Sequence, residues 1–451
     1  LEGILRRGRW FFARVSGRRR IGKTALIQAA LRATSSTRVL YVQVPDAGPT
    51  GVLSAVADAM DAFGIDPDRF ARPATLLELA RTIGELARAG YVVALDEFQY
   101  FSRPALHELT SYLQAVVDEL SRDAAHVPGG LFVLGSIHTE LVALLENRDA
   151  PLYNRTTDRI ELPHLDIASI LGILREHADA TPERLLFLWN LFEGVPKFYR
   201  DCFEQGVLGA SRAALLERMF FHSSSPLRTE ANEWFLSELR GRYDVALKFV
   251  ARHPGCGSGE LLEHVRTTSR HADGLQAAEQ VKALIERYGM LERRLPVFDD
   301  ASERKARYYL RDNFLRAWLA CLANAVAAID FRPLPALVAQ SDARLVDTEG
   351  YGLERLVGVL YEERSRKAMG DFSLTERIQG YWNRKGIEID LVAIDEDARR
   401  IRFGTCKRSA SKLLADLDGL GAHVERFLGE HRRFAEGWTV EKVALAPVID
   451  A

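Results

Sequence analysis

Along the first third of the chain, apolar residues gather in short runs separated by longer amphipathic stretches. The runs Phe11–Ser16, Arg38–Val44, Tyr91–Asp96, Leu131–Gly135 and Arg159–Leu162 read as strands. Between them, "KTALIQAALRA" and "PALHELTSYLQAVVDEL" space apolar residues three and four apart, as one face of a helix requires. Apolar strands alternating with helices predict an α/β fold with a parallel sheet covered by helices. From Asp166 to about Leu239 the pattern becomes all-helical. Three helical segments then lead to "MLERRLPVF", which reads as a two-stranded wing, and that order suggests a winged-helix module of the helix-turn-helix type. The amphipathic segment "ARYYLRDNFLRAWLACLANAVAAI" bridges onward. The last hundred residues return to mixed α/β, with "EIDLVAID" and "RIRFGTC" as strands.

Composition narrows this picture. A chain of 451 residues exceeds one ordinary core, so several domains are expected. Hydrophobic residues at 47% and charged residues at 27% are those of a globular protein and exclude a disordered one. With 60 basic and 62 acidic residues, the net charge of −2 excludes a general attraction to nucleic acid, so any such contact needs a local patch. Cys202, Cys256, Cys321 and Cys406 lie far apart with no CxxC pair, which points to reduced thiols in a cytoplasmic protein. The most apolar stretch, "AWLACLANAVAAI", falls short of the roughly 20 residues that span a bilayer, so a buried helix and no membrane contact are expected. No secretory leader pattern is visible, and the opening at Leu1 rather than Met leaves room for residues ahead of it.

The candidate chemistry begins at "GRRRIGKTAL". Gly17, Gly22, Lys23 and Thr24 satisfy the spacing G-x-x-x-x-G-K-[ST] of a Walker A loop, between a strand and a helix. In such a loop the backbone from Gly17 through Arg18, Arg19, Arg20, Ile21 and Gly22 to Ala25 would wrap a phosphate, aided by the helix N-terminus. Lys23 would reach the β- and γ-phosphates of ATP, and the Thr24 hydroxyl would ligate Mg²⁺. A matching carboxylate is offered by "YVVALDEFQY". There Asp96 would hold the Mg²⁺ through water, and Glu97 would orient and deprotonate the attacking water. Ser136, ending "LFVLGS", either senses the γ-phosphate or caps the following helix. Arg155 in "PLYNR" is either an arginine finger toward a neighbouring subunit's nucleotide or a surface arginine. Gly194-Val195-Pro196 forms a turn between helices, where Pro196 would press on the adenine.

These motifs, "GRRRIGKT", "LDEFQY", "LGSIHTEL", "PLYNR" and "GVPKFY", resemble the prokaryotic ATPase family within the signal-transducing (STAND) branch of the AAA+ class, best known from archaea. The later stretches "YYLRDNFLRAW", "GYGLERLVGVLYE", "GYWNRKGIEIDLVA" and "GTCKRS" resemble the C-terminal domain that often accompanies it. The resemblance implies a P-loop ATPase core over residues 1–165, a helical lid over 166–239 and a winged helix over 240–300. A helical linker over 301–345 and a PD-(D/E)XK nuclease-like domain over 346–451 would complete the chain. A nuclease of that type needs an acid at one strand end and an acid-x-lysine on the next. Asp390 and Lys407 match, and Glu354 on the preceding helix would be a third ligand, but the acid two before the lysine is replaced by Thr405. Either Glu354 or Glu388 compensates, or the domain is an inactive relic used for binding; the neutral Thr405 favours the relic.

The reading is therefore an ATP- and Mg²⁺-dependent switch whose nucleotide state controls homo-oligomer assembly or partner binding. The alternatives are an ATP-regulated DNA nuclease and a regulator that binds DNA through the winged helix or the nuclease-like domain.

Overall fold

The structure, a computed structural model, describes residues 1–33, 38–135, 138–231, 243–268, 274–299 and 305–447. The chain divides into two compact units, Leu1–His164 and Leu165–Ala451.

The first unit is built on five strands, β1 (Phe12–Gly17), β2 (Arg38–Gln43), β3 (Tyr91–Asp96), β4 (Gly130–Gly135) and β5 (Asp158–Leu162). Each lies within one residue of the run expected from the apolar pattern. They form a parallel sheet in the order β2-β3-β4-β1-β5. Alternation along the strands sorts side chains to two faces. Phe12, Val93, Leu95, Leu131 and Val133 join the core shared with the helices Pro49–Ala62, Leu76–Arg88 and Glu108–Arg122. Ala13, Val15, Val92, Ala94, Phe132 and Leu134 face the opposite way, where Ile27 of the helix Lys23–Ala33 covers them. Because β4 lies between β1 and β3, the loops that follow those two strands open side by side at the carboxyl edge. Open α/β sheets bind their ligands at that edge.

The second unit opens with the helices Ile167–His177, Pro182–Phe192 and Pro196–Glu204. They share one apolar core with Asp244–Arg252, Ser258–Thr268, Gly274–Glu286 and the long helix Leu334–Arg366. The "MLERRLPVF" segment departs from expectation. It supplies one strand, β7 (Leu291–Arg294), not two. Its antiparallel partner is β8 (Arg307–Leu310), drawn from the segment read as a helical bridge, and β6 (Cys256–Gly257) pairs with β8 on the other side. "AWLACLANAVAAI" is a buried helix, as expected, with a π-helical turn at Trp318–Leu322. The helix Leu334–Arg366 runs unbroken through position 345, where the sequence reading divides linker from terminal domain. Its C-terminal neighbour is a four-stranded sheet of order β12-β11-β10-β9. The strands are β9 (Gln379–Trp382), β10 (Glu388–Asp395), β11 (Arg400–Cys406) and β12 (Thr439–Leu445). Leu420, Val424 and Phe427 of the helix Ala410–Glu430 close its core against Val392, Ile394, Ile401 and Phe403. Among the described residues, no helix is long and apolar enough to cross a membrane.

Candidate active site

Two glycines shape the loop after β1. Gly17 has φ 154°, and a Cβ there would lie 3.0 Å from the Leu162 carbonyl oxygen. Gly22 has φ 91°, a conformation that L side chains rarely adopt. Ile21, buried, anchors the loop between them, and Arg20 takes the left-handed conformation at φ 67°. Arg18 approaches His164, with Nη1 and Nε2 3.4 Å apart. Arg19 also belongs to the loop, and Ala25 sits exposed in the first turn of the helix.

Lys23 is buried inside the loop that it opens onto. Its Nζ donates to the carbonyl oxygens of Gly17, at 2.9 Å, and Arg18, at 3.0 Å. Burial pulls its ammonium pKa down to about 8, and the Glu97 and Asp96 carboxylates only partly offset that. An ammonium held by two backbone oxygens in a desolvated loop has much to gain from an incoming phosphate.

Asp96 ends β3 and faces the loop. Thr24 Oγ1 donates to its Oδ2 at 2.6 Å, and Tyr41 Oη donates to the same oxygen at 2.6 Å. Its other oxygen, Oδ1, accepts the Glu97 backbone N–H at 2.8 Å. Burial, with the Asp96 carboxylate beside it, pushes the Tyr41 phenol well above its usual value, so Tyr41 stays a donor. Thr24 and Asp96 are oxygen donors of the kind Mg²⁺ takes, side by side at a phosphate loop, so the residues fit that ion. Glu97 turns the chain sharply with φ 58° and ψ 37°. Gln99, fully buried, donates its Nε2 to Glu97 Oε2, while its own Oε1 has no hydrogen-bond partner among the described residues. A Cβ on Gly135, at the end of β4, would come within 2.8 Å of that oxygen.

The structure thus brings Gly17, Gly22, Lys23, Thr24, Asp96 and Glu97 together from two strand ends. Ser136 lies outside the described residues. Arg155 belongs to the same unit but folds back. Its Nε and Nη2 form a bidentate pair with Asp118, at 2.7 and 3.0 Å, and Nη1 donates to the Tyr153 carbonyl. Pro196 lies in the second unit, as the first residue of the helix Pro196–Glu204. Tyr41 and Gln99 were not anticipated. Tyr41 sits in an ordinary strand pattern, and Gln99 is visible in the sequence only as the residue two after Glu97.

A second polar cluster surrounds Asp390. The Cys406 N–H donates to Asp390 Oδ2 at 2.9 Å, and Lys407 Nζ lies 3.4 Å from the same oxygen. The Thr405 hydroxyl lies 3.1 Å from that carboxylate and 2.8 Å from Asp416, a residue the sequence reading did not single out. Lys407 also reaches Asp416 at 3.2 Å. Burial pushes the Glu354 carboxyl up to about 8, and the Asp390 charge adds to the effect, which favours its neutral form. Glu388, the other candidate to replace the missing acid, instead binds Arg307 at 2.8 Å. Among the described residues, no group of three or more His, Cys, Asp or Glu side chains is arranged to hold a metal ion.

The five-stranded parallel sheet, with a glycine-rich loop after β1 and an acidic end to β3, is a fold shared with a solved Walker-type ATPase. The chain is similar to the Walker-type ATPase PABY2304 of Pyrococcus abyssi, with a TM-score of 0.51 and 17% identity, over 68% of this chain and 90% of that one. It is also similar to the ORC2 protein of Aeropyrum pernix in its ADPNP–ADP complexes, at a TM-score of 0.44 and 17% identity, over 75% and 88% of the two chains. In sequence it is 21% identical over 427 residues to the uncharacterized protein MJECL04 of Methanocaldococcus jannaschii, covering 90% of this chain and 86% of that one. No family model matches the chain.

Proposed function

We propose that the protein binds and hydrolyses ATP with Mg²⁺ and uses the nucleotide state as a switch for assembly or partner binding. One observation carries this reading: the Thr24 hydroxyl and the Asp96 carboxylate, 72 residues apart in sequence, meet at 2.6 Å beside the buried Lys23. Lys23 would exchange its two carbonyl partners for the β- and γ-phosphate oxygens. Thr24 and Asp96 would hold Mg²⁺, which when bound neutralises charge on the phosphates. Glu97 would take the proton of the water whose oxygen attacks the γ-phosphorus, as the bond to the leaving ADP oxygen breaks. In the present arrangement Gln99 holds Glu97, so hydrolysis requires that contact to be repositioned once nucleotide arrives. The expected result is that Lys23→Ala abolishes ATP binding, whereas Glu97→Gln keeps binding and slows turnover at least tenfold, because it loses the base and keeps the shape. Equal loss of binding in both variants would contradict the assigned roles.

For the second unit, we infer that the helices after Leu165 act as a lid, with Pro196 at the adenine. The three-stranded sheet with its helices would be a winged helix, and the β9–β12 sheet an inactive nuclease-like domain. The support for inactivity is chemical. The position that needs a carboxylate is Thr405, and the Lys407 ammonium lies against both Asp390 and Asp416. A nuclease or DNA-regulator reading has no comparable observation behind it at this site.

A further inference from the structure

The Tyr41 hydroxyl donates to the same Asp96 oxygen as Thr24, from a strand that carries no part of the phosphate loop. Sheet geometry explains how it gets there. β2 and β3 run parallel, with Tyr41 opposite Ala94. Asp96 lies two residues beyond Ala94, so alternation puts its side chain on the face that carries Tyr41. Two residues of strand advance about 6.6 Å. A serine or threonine at position 41 would stop short of Asp96, whereas the tyrosine spans the gap. Its ring packs against the core that Ala13, Val15, Ile27 and Ala94 share, which fixes where the hydroxyl ends.

The hydrogen bonds to Asp96 give its two oxygens different duties. An ionised carboxylate only accepts, with about two lone-pair directions on each oxygen. Oδ2 takes the Tyr41 and Thr24 hydroxyls, each at 2.6 Å, and is filled. Oδ1 takes the Glu97 N–H at 2.8 Å and keeps one direction open among the described residues. Thr24 cannot secure this division alone, because its oxygen is also claimed by the ion in the reading above. Tyr41, anchored in the sheet, makes the same bond without that second duty.

We propose that Tyr41 is a positioning residue for the Mg²⁺ side of the site, holding Asp96 by Oδ2 so that Oδ1 is presented to the ion's hydration shell. The inference rests on the ATP and Mg²⁺ reading and deepens it. A group that hydrogen-bonds a metal-binding carboxylate from behind sets its orientation, and losing such a group typically costs about 10–100-fold in metal affinity. Because Tyr41 acts through Asp96, removing its hydroxyl should change metal affinity and leave metal-free nucleotide binding intact.

The test is Tyr41→Phe, which keeps the ring and removes the hydroxyl. Calorimetry gives the affinity of a slowly hydrolysed ATP analogue in EDTA and in excess Mg²⁺, and the ratio of the two reports the metal's contribution. In EDTA the variant matches the wild type. In Mg²⁺ it binds the analogue about tenfold more weakly. Titrating Mn²⁺ into the complex of protein and analogue, followed by the electron paramagnetic resonance of the free ion, shows a loss of metal affinity of the same size. An equal weakening in EDTA would make Tyr41 a nucleotide contact and overturn the proposal. Unchanged affinity in both media would leave it a packing residue, with the same consequence. Tighter binding in Mg²⁺ would mean that the phenol competes with the ion, which also overturns it. Failure of the underlying reading looks different. A wild-type chain that binds the analogue no better in Mg²⁺ than in EDTA would overturn the Mg²⁺ reading itself, and this proposal with it.

Discussion

At the scale of single residues, the burial of one lysine would tune the proposed phosphate loop. With its pKa lowered to about 8, Lys23 is charged at neutral pH but loses its proton just above it. Bound phosphates favour the ammonium, so the nucleotide complex holds the Lys23 proton to higher pH than the free protein does. Below pH 8 the proton is already in place when ATP binds. Above pH 8, binding must take one up, and affinity falls by up to tenfold per pH unit. Calorimetry of ATP binding at about pH 9, in two buffers of different ionisation enthalpy, should show uptake approaching one proton. The Lys23 role would be contradicted by an affinity that stays flat across this range. Thr405 makes the complementary point. Metal-dependent cleavage needs a charged ligand where this chain has a hydroxyl, so linear, nicked and single-stranded DNA should stay intact in Mg²⁺ or Mn²⁺, with or without ATP. Cleavage that disappears in Asp390→Ala would overturn the inactive reading. Neither Gln99 on Glu97 nor Asp416 on Lys407 could be read from the sequence. Gln99 meets Glu97 through the sharp turn at Glu97, and Asp416 meets Lys407 from the helix that follows β11, and neither residue belongs to a spacing that chemistry requires.

At the scale of elements, the helix Leu334–Arg366 does unusual work for the helix Ile167–His177. A helix N-terminus leaves backbone donors unsatisfied, and its own cap, Asp166, takes only the Ser169 N–H. Glu363, buried and 196 residues away, accepts the Ile167 N–H at 2.7 Å and the Ala168 N–H at 3.1 Å. Lys367 completes the arrangement by bonding both Glu363 and Asp166, which holds the Asp166 carboxyl far below the usual range. Glu363→Ala leaves both donors without a partner and should destabilise the second unit by about 3 kcal/mol, with Glu363→Gln, which keeps one acceptor, losing roughly half as much. Urea unfolding measures both; equal stability of the two variants would show that water replaces the carboxylate. Such long-range caps leave no trace in local pattern, which explains what was legible here. The five strands of the first unit were readable because buried parallel strands are short apolar runs between helices. The partner of β7 was not, because "RYYL" is a four-residue strand leading directly into a helix, and periodicity cannot separate the two over so few residues.

At the scale of the whole molecule, the proposed hydrolysis would belong either to one chain or to an assembly. Arg155 is the residue that decides it, and here it is occupied by Asp118 in its own unit. That pair is partly exposed, at 25% and 40% for the two side chains, so it contributes no more than about 1 kcal/mol. A neighbour's γ-phosphate offers the same guanidinium a bidentate, charge-assisted contact in a site that excludes water, and would win that competition. The Arg155–Asp118 pair would then keep the finger folded away in the lone chain and release it on docking. If so, wild-type turnover per chain rises with protein concentration, and Arg155→Ala removes the rise without weakening ATP binding. Asp118→Asn, which weakens the competing contact, should shift the rise to a protein concentration lower by up to about fivefold. A purely structural pair gives another pattern. Both variants would then lose stability, and turnover per chain would stay flat with concentration while light scattering reports a monomer. That outcome would return Arg155 to the surface and confine the chemistry to Lys23, Thr24, Asp96 and Glu97 of a single chain.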